Sequence, residues 1–401
     1  MIVAVVGGNL QGVEATYLAR KAGWEVILID KDSNAPASGL CDDFVKADVT
    51  RPGSHFDILQ QADLIIPALE NLSALRTLQQ TSMKTGTPLA FDPHAYTVTS
   101  SKLQSNQLFS RLDVATPASY PKCKFPVIVK PDASSGSRGI DIFEDIGTLN
   151  NFISQTKGIN SWVIQEFVSG PSYSLEVIGS TGNYHALTVT DLFMDAQYDC
   201  KRVTVPTALS SVFTKQFEKI SLLIAEKLGL TGIMDVEVIE HEGSLKMLEI
   251  DARLPSQTPA AVFWSTGINM VALLGNLFLK GKIETKPDVE PPRSVIYEHL
   301  SVSKEIIEVA GEHIMSRSGP LTCHQDFFGA DEAITNYDPN RDSWTATMIY
   351  AGSDIEAARQ KRETALENIR QKHKGAVIRD SVPAVQSVSL KEFTRDAFAK
   401  Q

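Results

Sequence analysis

The sequence predicts a mixed α/β and α+β protein, with a small parallel sheet at its N-terminal end and a hairpin-rich region after it. Three patterns carry this reading. A glycine turn, Gly7-Gly8-Asn9-Leu10-Gln11-Gly12, joins a strand to a helix, and the next strand ends in Asp30. A short strand ending at Lys130 runs into a glycine and serine loop, Ser134-Ser135-Gly136-Ser137-Arg138-Gly139. Two later strands carry acids two residues apart, Asp235 with Glu237 and Glu249 with Asp251.

Taken in order, residues 2–6 form a buried apolar strand, a helical pattern runs to Ala22, and residues 25–30 form the second strand of a β-α-β unit. Residues 64–67 read as strand and 71–83 as helix, so the parallel sheet spans roughly residues 1–90. Residues 101–109 are helix-like. Thr116-Pro117-Ala118 is an extended link, because the residue before proline avoids the helical region. Strands are expected at 125–130 and 140–143, flanking the glycine and serine loop, and at 162–167. Alternation predicts antiparallel strands at 174–178 and 184–190. An amphipathic helix at 214–228 is stopped by Gly229. The acidic strands are 232–240 and 245–251, and residues 269–279 form an apolar helix. Pro291-Pro292 marks a boundary. Beyond it come a β-rich piece with short helices (293–350), a charged helix (353–374) and a peripheral arm over the last twenty residues.

Composition narrows the function classes. The chain has 401 residues, 43% of them hydrophobic, which suits two or three globular domains. Its 48 acids and 38 bases give a net charge of -10, a poor match to a nucleic-acid groove. No apolar run is long enough for a membrane span, and the N-terminus lacks a signal-peptide pattern. The four cysteines, Cys41, Cys123, Cys200 and Cys323, show no CxxC spacing, so reduced thiols in a cytoplasmic enzyme are expected.

The chemistry-bearing residues each admit more than one reading. The glycine turn and Asp30 suit a dinucleotide, another small ligand or a purely structural turn. Lys130 and the backbone amides of the Ser134–Gly139 loop, with Arg138, suit polyphosphate; otherwise they form a surface hairpin. Lys102 is either a phosphate contact or a solvated helix residue. The paired carboxylates fall on one strand face by the two-residue period, and an oxygen-only set of this kind suits magnesium; the alternative is an exposed edge. Arg253, in the polar loop from Arg253 to Pro259, clamps a phosphate or a substrate carboxylate, or pairs with a neighbouring acid. His94, His185, His241, His299, His313 and His324 show no ligand spacing and read as structural or solvated. Asp191 and His185 flank a central strand and are candidates for substrate contact.

Taken together and in this order, the segments resemble the ATP-grasp ligase family over about residues 1–350. The motifs that carry the resemblance are Lys102, Lys130 with its loop, Gln165-Glu166-Phe167-Val168, and Glu237 with Glu249-Ile250-Asp251-Ala252-Arg253. The resemblance implies an ATP-grasp fold with a Rossmann-like domain at 1–92, a central lobe at 93–170 and a C-terminal lobe at 171–401 bearing a peripheral helical arm. It implies that Lys102, Lys130 and the loop hold ATP phosphates, that Glu166, Phe167 and Val168 hold adenine, and that Glu237, Glu249 and Asp251 bind magnesium. Two ions are expected, with manganese as a substitute. Asp251 stands where asparagine is common in the family, and Ser172 where many members have a ribose-binding glutamate. Glu176 follows four residues later and is assigned either to ribose or to the substrate side.

Within the family, three stretches resemble the group that joins the carboxylate of (3R)-3-methyl-D-ornithine to the ε-amine of L-lysine: residues 7–12, 232–237 and 248–259, continued by 265–269. This implies the two amino acids as substrates, met by Gly8, Asn9, Leu10, Gln11, Ser172, Ser174, Glu176, Arg253 and Ser256. It implies Arg253 and Lys130 as catalytic residues, with Glu176 or Asp191 taking the amine proton. A homodimer is left open. The competing expectations are another ATP-grasp carboxylate–amine ligase or carboxylase, an NAD(P)-dependent oxidoreductase using the glycine turn, and a non-catalytic nucleotide-binding module.

Overall fold

The computed structural model describes residues 1–383 apart from 52, 54, 134, 135, 137, 138 and 284–290. The N-terminal sheet is built on β1 (Ile2–Val6), followed by α1 (Leu10–Lys21) and β2 (Glu25–Asp30). β3 (Asp43–Lys46), α2 (His55–Gln61), β4 (Leu64–Pro67) and α3 (Leu72–Thr85) complete it. The four strands are parallel in the order β3-β2-β1-β4. β1 is apolar throughout because both of its faces are covered. Val3 and Val5 pack toward α1, whereas Ala4 and Val6 face Leu59 of α2 and Leu78 of α3. β3 and α2 were not foreseen; β3 is a four-residue edge strand with exposed ends, too short and too polar to stand out.

The central region contains α4 (Pro93–Thr99), α5 (Lys102–Arg111), β5 (Val127–Pro131), β6 (Asp141–Phe143), α6 (Ile146–Gln155) and β7 (Trp162–Glu166). The strands form an antiparallel sheet in the order β6-β5-β7. Asp92 and Ser101 cap α4 and α5 through backbone N–H groups.

The remaining strands form one large sheet. It begins with β8 (Ser172–Ser180), β9 (Asn183–Ala186), β10 (Thr190–Met194), β11 (Cys200–Val205), α7 (Ser211–Leu228), β12 (Gly232–His241) and β13 (Ser244–Asp251). Helices α8 (Thr258–Thr266) and α9 (Met270–Lys280) follow. Then come β14 (Ser294–Val302), β15 (Ile306–Val309), β16 (Thr322–Phe327), β17 (Ala330–Thr335), β18 (Trp344–Gly352), α10 (Ile355–Lys372) and β19 (Val377–Arg379). The main path is β13-β12-β8-β10-β11-β14-β18-β17-β16, with β9 on β8, β15 on β14 and β19 on β15.

Two expectations need correction. Residues 184–190 are not one strand: β9 pairs with Val177–Ser180 and β10 with Ser172–Ser174, so a break lets both use successive stretches of the same β8 edge. The polar stretch from Arg253 to Pro259 is not loop throughout, since α8 starts at Thr258, where Pro259 lacks only an N–H that a first turn leaves unbonded anyway. The β-rich piece expected at 293–350 continues the same sheet, because β14 pairs with β11. Most of the arm expected at the C-terminus lies outside the described residues. Among the described residues, no single helix is long and apolar enough to cross a membrane.

The C-terminal strand is fixed by a buried ion cluster. Arg202 bonds Glu298 at 2.9 Å and Asp380 at 2.6 Å; Arg362 bonds the same two acids at 2.7 and 3.0 Å; Lys201 reaches Asp380 at 2.5 Å. Burial alone would raise the Asp380 carboxyl, but Arg202, Arg362 and Lys201 outweigh it and hold it far below the usual carboxylate range. In the unfolded chain it titrates near about 4. The cluster therefore stabilises the fold above about pH 4, and that contribution is lost as pH falls through the lower folded-state value. Urea unfolding should show stability falling below pH 4 in the native chain. Asp380→Asn should flatten that limb and lower stability at pH 7 by roughly 3 kcal/mol, because it leaves buried cations short of a partner.

Candidate active site

The centre is a grid on three neighbouring strands. Antiparallel register places Ser174, Glu237 and Glu249 in one row across β8, β12 and β13, and Glu176, Asp235 and Asp251 in the next. The opposite face of the same strands carries Leu175, Val236 and Ile250, buried in a core with residues of α7. A bulge lies where Glu237 pairs with Glu249 but Val238 pairs with Met247, leaving Leu248 as the extra residue. It shifts the side-chain parity of β13. Leu248 and Glu249, adjacent in sequence, therefore both line one cavity, while Met247 and Ile250 stay in the core.

Five carboxylates this close require counter-charge. Lys102, the first residue of α5, bonds Glu249 at 2.7 Å. Asp132 brings that helix start to the end of β5: it accepts from Ser101 Oγ at 2.9 Å and from Leu103 N at 2.8 Å, and its carbonyl accepts from Lys102 N at 3.1 Å. Lys130 is thereby set beside Lys102. Its ammonium is shifted down by burial, opposed by Glu249 and Glu237 and reinforced by Lys102. Arg253 bonds Asp251 at 2.7 Å and Glu70 at 2.9 Å. Burial works against its charge, but Asp251, Glu70 and Asp235 outweigh it and keep the guanidinium ionised. Glu70 also accepts from Gln11 at 2.9 Å, so a polar chain runs from α1 to the end of β13.

Three cavities lie in line along this grid. One of about 200 Å³ is lined by Lys130, Glu166, Phe167, Val168, Ser172, Glu237 and Glu249. A second of about 150 Å³ holds Ser174, Asp235, Glu237, Glu249, Asp251, Arg253 and Ser256. The third, about 570 Å³, lies between the glycine turn (Gly8, Asn9, Leu10 and Gln11), Glu70, Arg253, Ser256, Glu312 and His313. Glu237 and Glu249 are shared by the first pair, and Arg253, Ser256 and Glu312 by the second. The sheet thus presents one continuous cleft with a narrow, acidic and cationic middle.

Two family models match: an ATP-grasp domain over residues 99–257 and a PylC-like N-terminal domain over residues 3–90. The chain is 34% identical to a 3-methyl-D-ornithine–L-lysine ligase of Methanosarcina acetivorans, over 94% of this chain and 99% of that one. It is 33% identical to the enzyme of the same name from Methanosarcina mazei, over 92% and 95%. Its fold is similar to a biotin carboxylase from Campylobacter jejuni, with a TM-score of 0.68, 15% identity and coverage of 92% and 94% of the two chains.

The chain belongs to the PylC-like ATP-grasp ligases.

This ligase is an ATP-dependent carboxylate–amine ligase, and the family uses ATP with magnesium. The donor chemistry here fits the metal. Glu237 is half-buried, and desolvation with the facing charges of Asp235 and Glu249 raises its carboxyl well above the usual range. Burial first, then Asp235, raises Glu176 to about 8. Asp251 is raised to about 7 by burial, and one of its buried oxygens is without a hydrogen bond. Crowded, desolvated carboxylates of this kind favour a bound cation over mutual repulsion. Yet Glu237, Glu249 and Asp251 are not gathered on one point. Among the described residues no three acids, histidines or cysteines are, since Glu249 turns to Lys102 and Asp251 to Arg253.

The other expected residues divide. Ser174 bonds Asp235 at 2.5 Å, and Ser256 bonds Glu312 at 2.7 Å. Ser172 lines the first cavity with Glu166–Val168, away from the glycine turn. Glu166 accepts from Lys246 at 2.7 Å. Glu176 is held by Thr258 and Ser174. Asp191 does not join the cleft: it accepts from Thr207 at 2.5 Å and from Ala208 N, on the other side of β10 from the cavity-lining Leu192 and Met194. Of the loop, Gly136 borders all three cavities and Gly139 is described; Ser134, Ser135, Ser137 and Arg138 lie outside the described residues. Asp30 accepts from Gly8 N at 2.6 Å and from Asp32 N at 2.8 Å, so both its oxygens brace the turn, and it lines the large cavity.

Sequence reasoning missed Glu70, Asp132, Glu312 and the pair His313–Asp199, whose side chains meet at 2.6 Å beside the large cavity. Glu70 alone left a signal, three residues beyond the C-terminal end of parallel strand β4, where ligand-facing residues collect. Glu249→Gln should lower turnover at least about 100-fold with circular dichroism and melting unchanged. Arg253→Lys, which keeps the charge but loses the fork between Asp251 and Glu70, should lower kcat by roughly the same factor. Near-native kcat in either variant contradicts the assigned centre.

Proposed function

We propose that this ligase joins the carboxylate of (3R)-3-methyl-D-ornithine to the ε-amine of L-lysine, giving 3-methylornithyl-Nε-lysine, ADP and phosphate. The observation that carries the reading is the run of three cavities with Glu237, Glu249 and Arg253 at its middle and Lys130 in the adjoining first cavity. It is supported by likeness to ligases of that name over nearly the whole chain. The apolar first cavity suits adenine along Glu166–Val168. The large cavity, rimmed by Glu70, Glu312, Arg253 and the glycine turn, suits amino acids that carry amines as well as a carboxylate.

In this reading the methylornithine carboxylate oxygen attacks the γ-phosphorus, and the bond to the ADP oxygen breaks. Lys130 and Arg253 stabilise charge on the transferring phosphoryl group; Lys102 holds the other phosphates. Glu237, Glu249 and Asp251 would hold magnesium, which would supply further neutralisation, once they turn from Lys102 and Arg253 toward one point; a second ion, and manganese in its place, belong to the same proposal. The lysine amine then attacks the acyl carbon, the bond to phosphate breaks, and the amine proton is lost. Glu176, in the row beside Asp235 and Asp251, is fully buried and lines none of the three cavities, and Asp191 points away from them, so neither takes this proton directly. Water has to be kept from the acylphosphate, which requires that the bound substrates fill the cleft middle of about 150 Å³.

The test mixes the protein with ATP, magnesium and 3-methyl-D-ornithine, with and without L-lysine. Mass spectrometry should find the isopeptide only when lysine is present, with one ADP per product. ADP release without any lysine-dependent product, but with product from another amine or from bicarbonate, would replace these substrates while keeping the phosphoryl-transfer centre.

A further inference from the structure

We propose that residues 380–383 are a strap that forms one wall of the nucleotide cavity, and that Asp380 is its positioning residue. The inference rests on the reading of the cavity along Glu166–Val168 as the nucleotide site. It concerns residues far from the two segments that match family models, 3–90 and 99–257.

The chain leaves α10, pairs through β19 with β15 and then turns back over β11. Asp380 is pinned there by Lys201, Arg202 and Arg362 at 2.5, 2.6 and 3.0 Å. Lys201 also donates to the carbonyl of Ser381, which fixes the backbone beyond the acid. Two residues on, Pro383 is buried and lines the cavity together with Phe167, Val168, Met194, Tyr198 and Ile239. Phe167 and Tyr198 meet edge to face at 6.1 Å. Lys201 and Arg202 sit just after Tyr198 on the same hairpin, so one ion cluster sets both the aromatic wall and the proline opposite it.

An apolar pocket for a base depends on close contact on every side, and removing one wall admits water and loosens the ligand. Proline suits the position because its fixed φ limits the freedom of a segment held at one end by charge. Two fully buried cations, Lys201 and Arg202, on a strand at the cavity edge would be costly without Asp380 and Glu298. The strap therefore couples the C-terminal part of the sheet to nucleotide affinity.

The test titrates MgADP into the native full-length protein and into Pro383→Gly and Asp380→Asn by calorimetry. Pro383→Gly should weaken binding roughly five- to tenfold. Folded Asp380→Asn should do the same, while KM for L-lysine stays within about twofold. If Asp380→Asn fails to fold, Pro383→Gly decides. Native affinity in Pro383→Gly overturns the strap, as does a parallel rise in the KM for lysine, which marks general loosening. Failure of the native protein to bind MgADP removes the nucleotide site and the strap with it.

Discussion

The charge balance on the faces of β8, β12 and β13 governs the rest of the molecule. Glu176, Asp235, Glu237, Glu249 and Asp251 are placed within two rows, where unscreened repulsion would be severe. Each balancing cation comes from a different element: Lys102 from the start of α5, Lys130 from β5, Arg253 from the turn after β13. The lobes therefore meet because the charges need one another. In the proposed reaction this is also where triphosphate charge is held.

The N-terminal domain is bound into this arrangement rather than appended to it. Glu14 of α1 is buried and accepts from Ala260 N at 2.5 Å, at the start of α8. Burial raises its carboxyl to about 8, with the backbone bonds of Ala260 and Gln257 opposing the rise. Tyr17 bonds Glu332 at 2.5 Å and receives a bond from Trp264 at 2.7 Å. Asn269 caps α9 with its oxygen while its amide reaches the Leu18 carbonyl at 2.7 Å. These contacts hold the glycine turn beside Arg253, so that both line the large cavity. Asp30, bonded to Gly8 and Asp32, has become part of the turn itself.

The C-terminal sheet extension does comparable work from the other side. β14 continues the strand order from β11, and Glu298 on it anchors Arg202 and Arg362. His313, in a short helical turn before β16, pairs with Asp199 and faces Gly136. A side chain on Gly136, already at φ +60, would meet the His313 ring at 2.8 Å, so the glycine is required there by both backbone and space.

The sequence by itself determined the parallel N-terminal unit, the two acidic strands and the same-face placement of Asp235 with Glu237 and of Glu249 with Asp251. Those features follow from local rules: apolar runs, glycine turns and the two-residue period of a strand. It determined Lys102 and Lys130 only as candidates, since a lysine on a helix or strand end has no partner until something folds against it. Tertiary structure decided that Lys102 meets Glu249, that Arg253 bridges Asp251 and Glu70, and that Asp191 points away. It also decided the bulge that puts Leu248 and Glu249 on one cavity, because a bulge is a matter of pairing between strands. The physical reason is range: local propensity acts over a few residues, whereas charge pairing here joins positions separated by 147 residues in the chain.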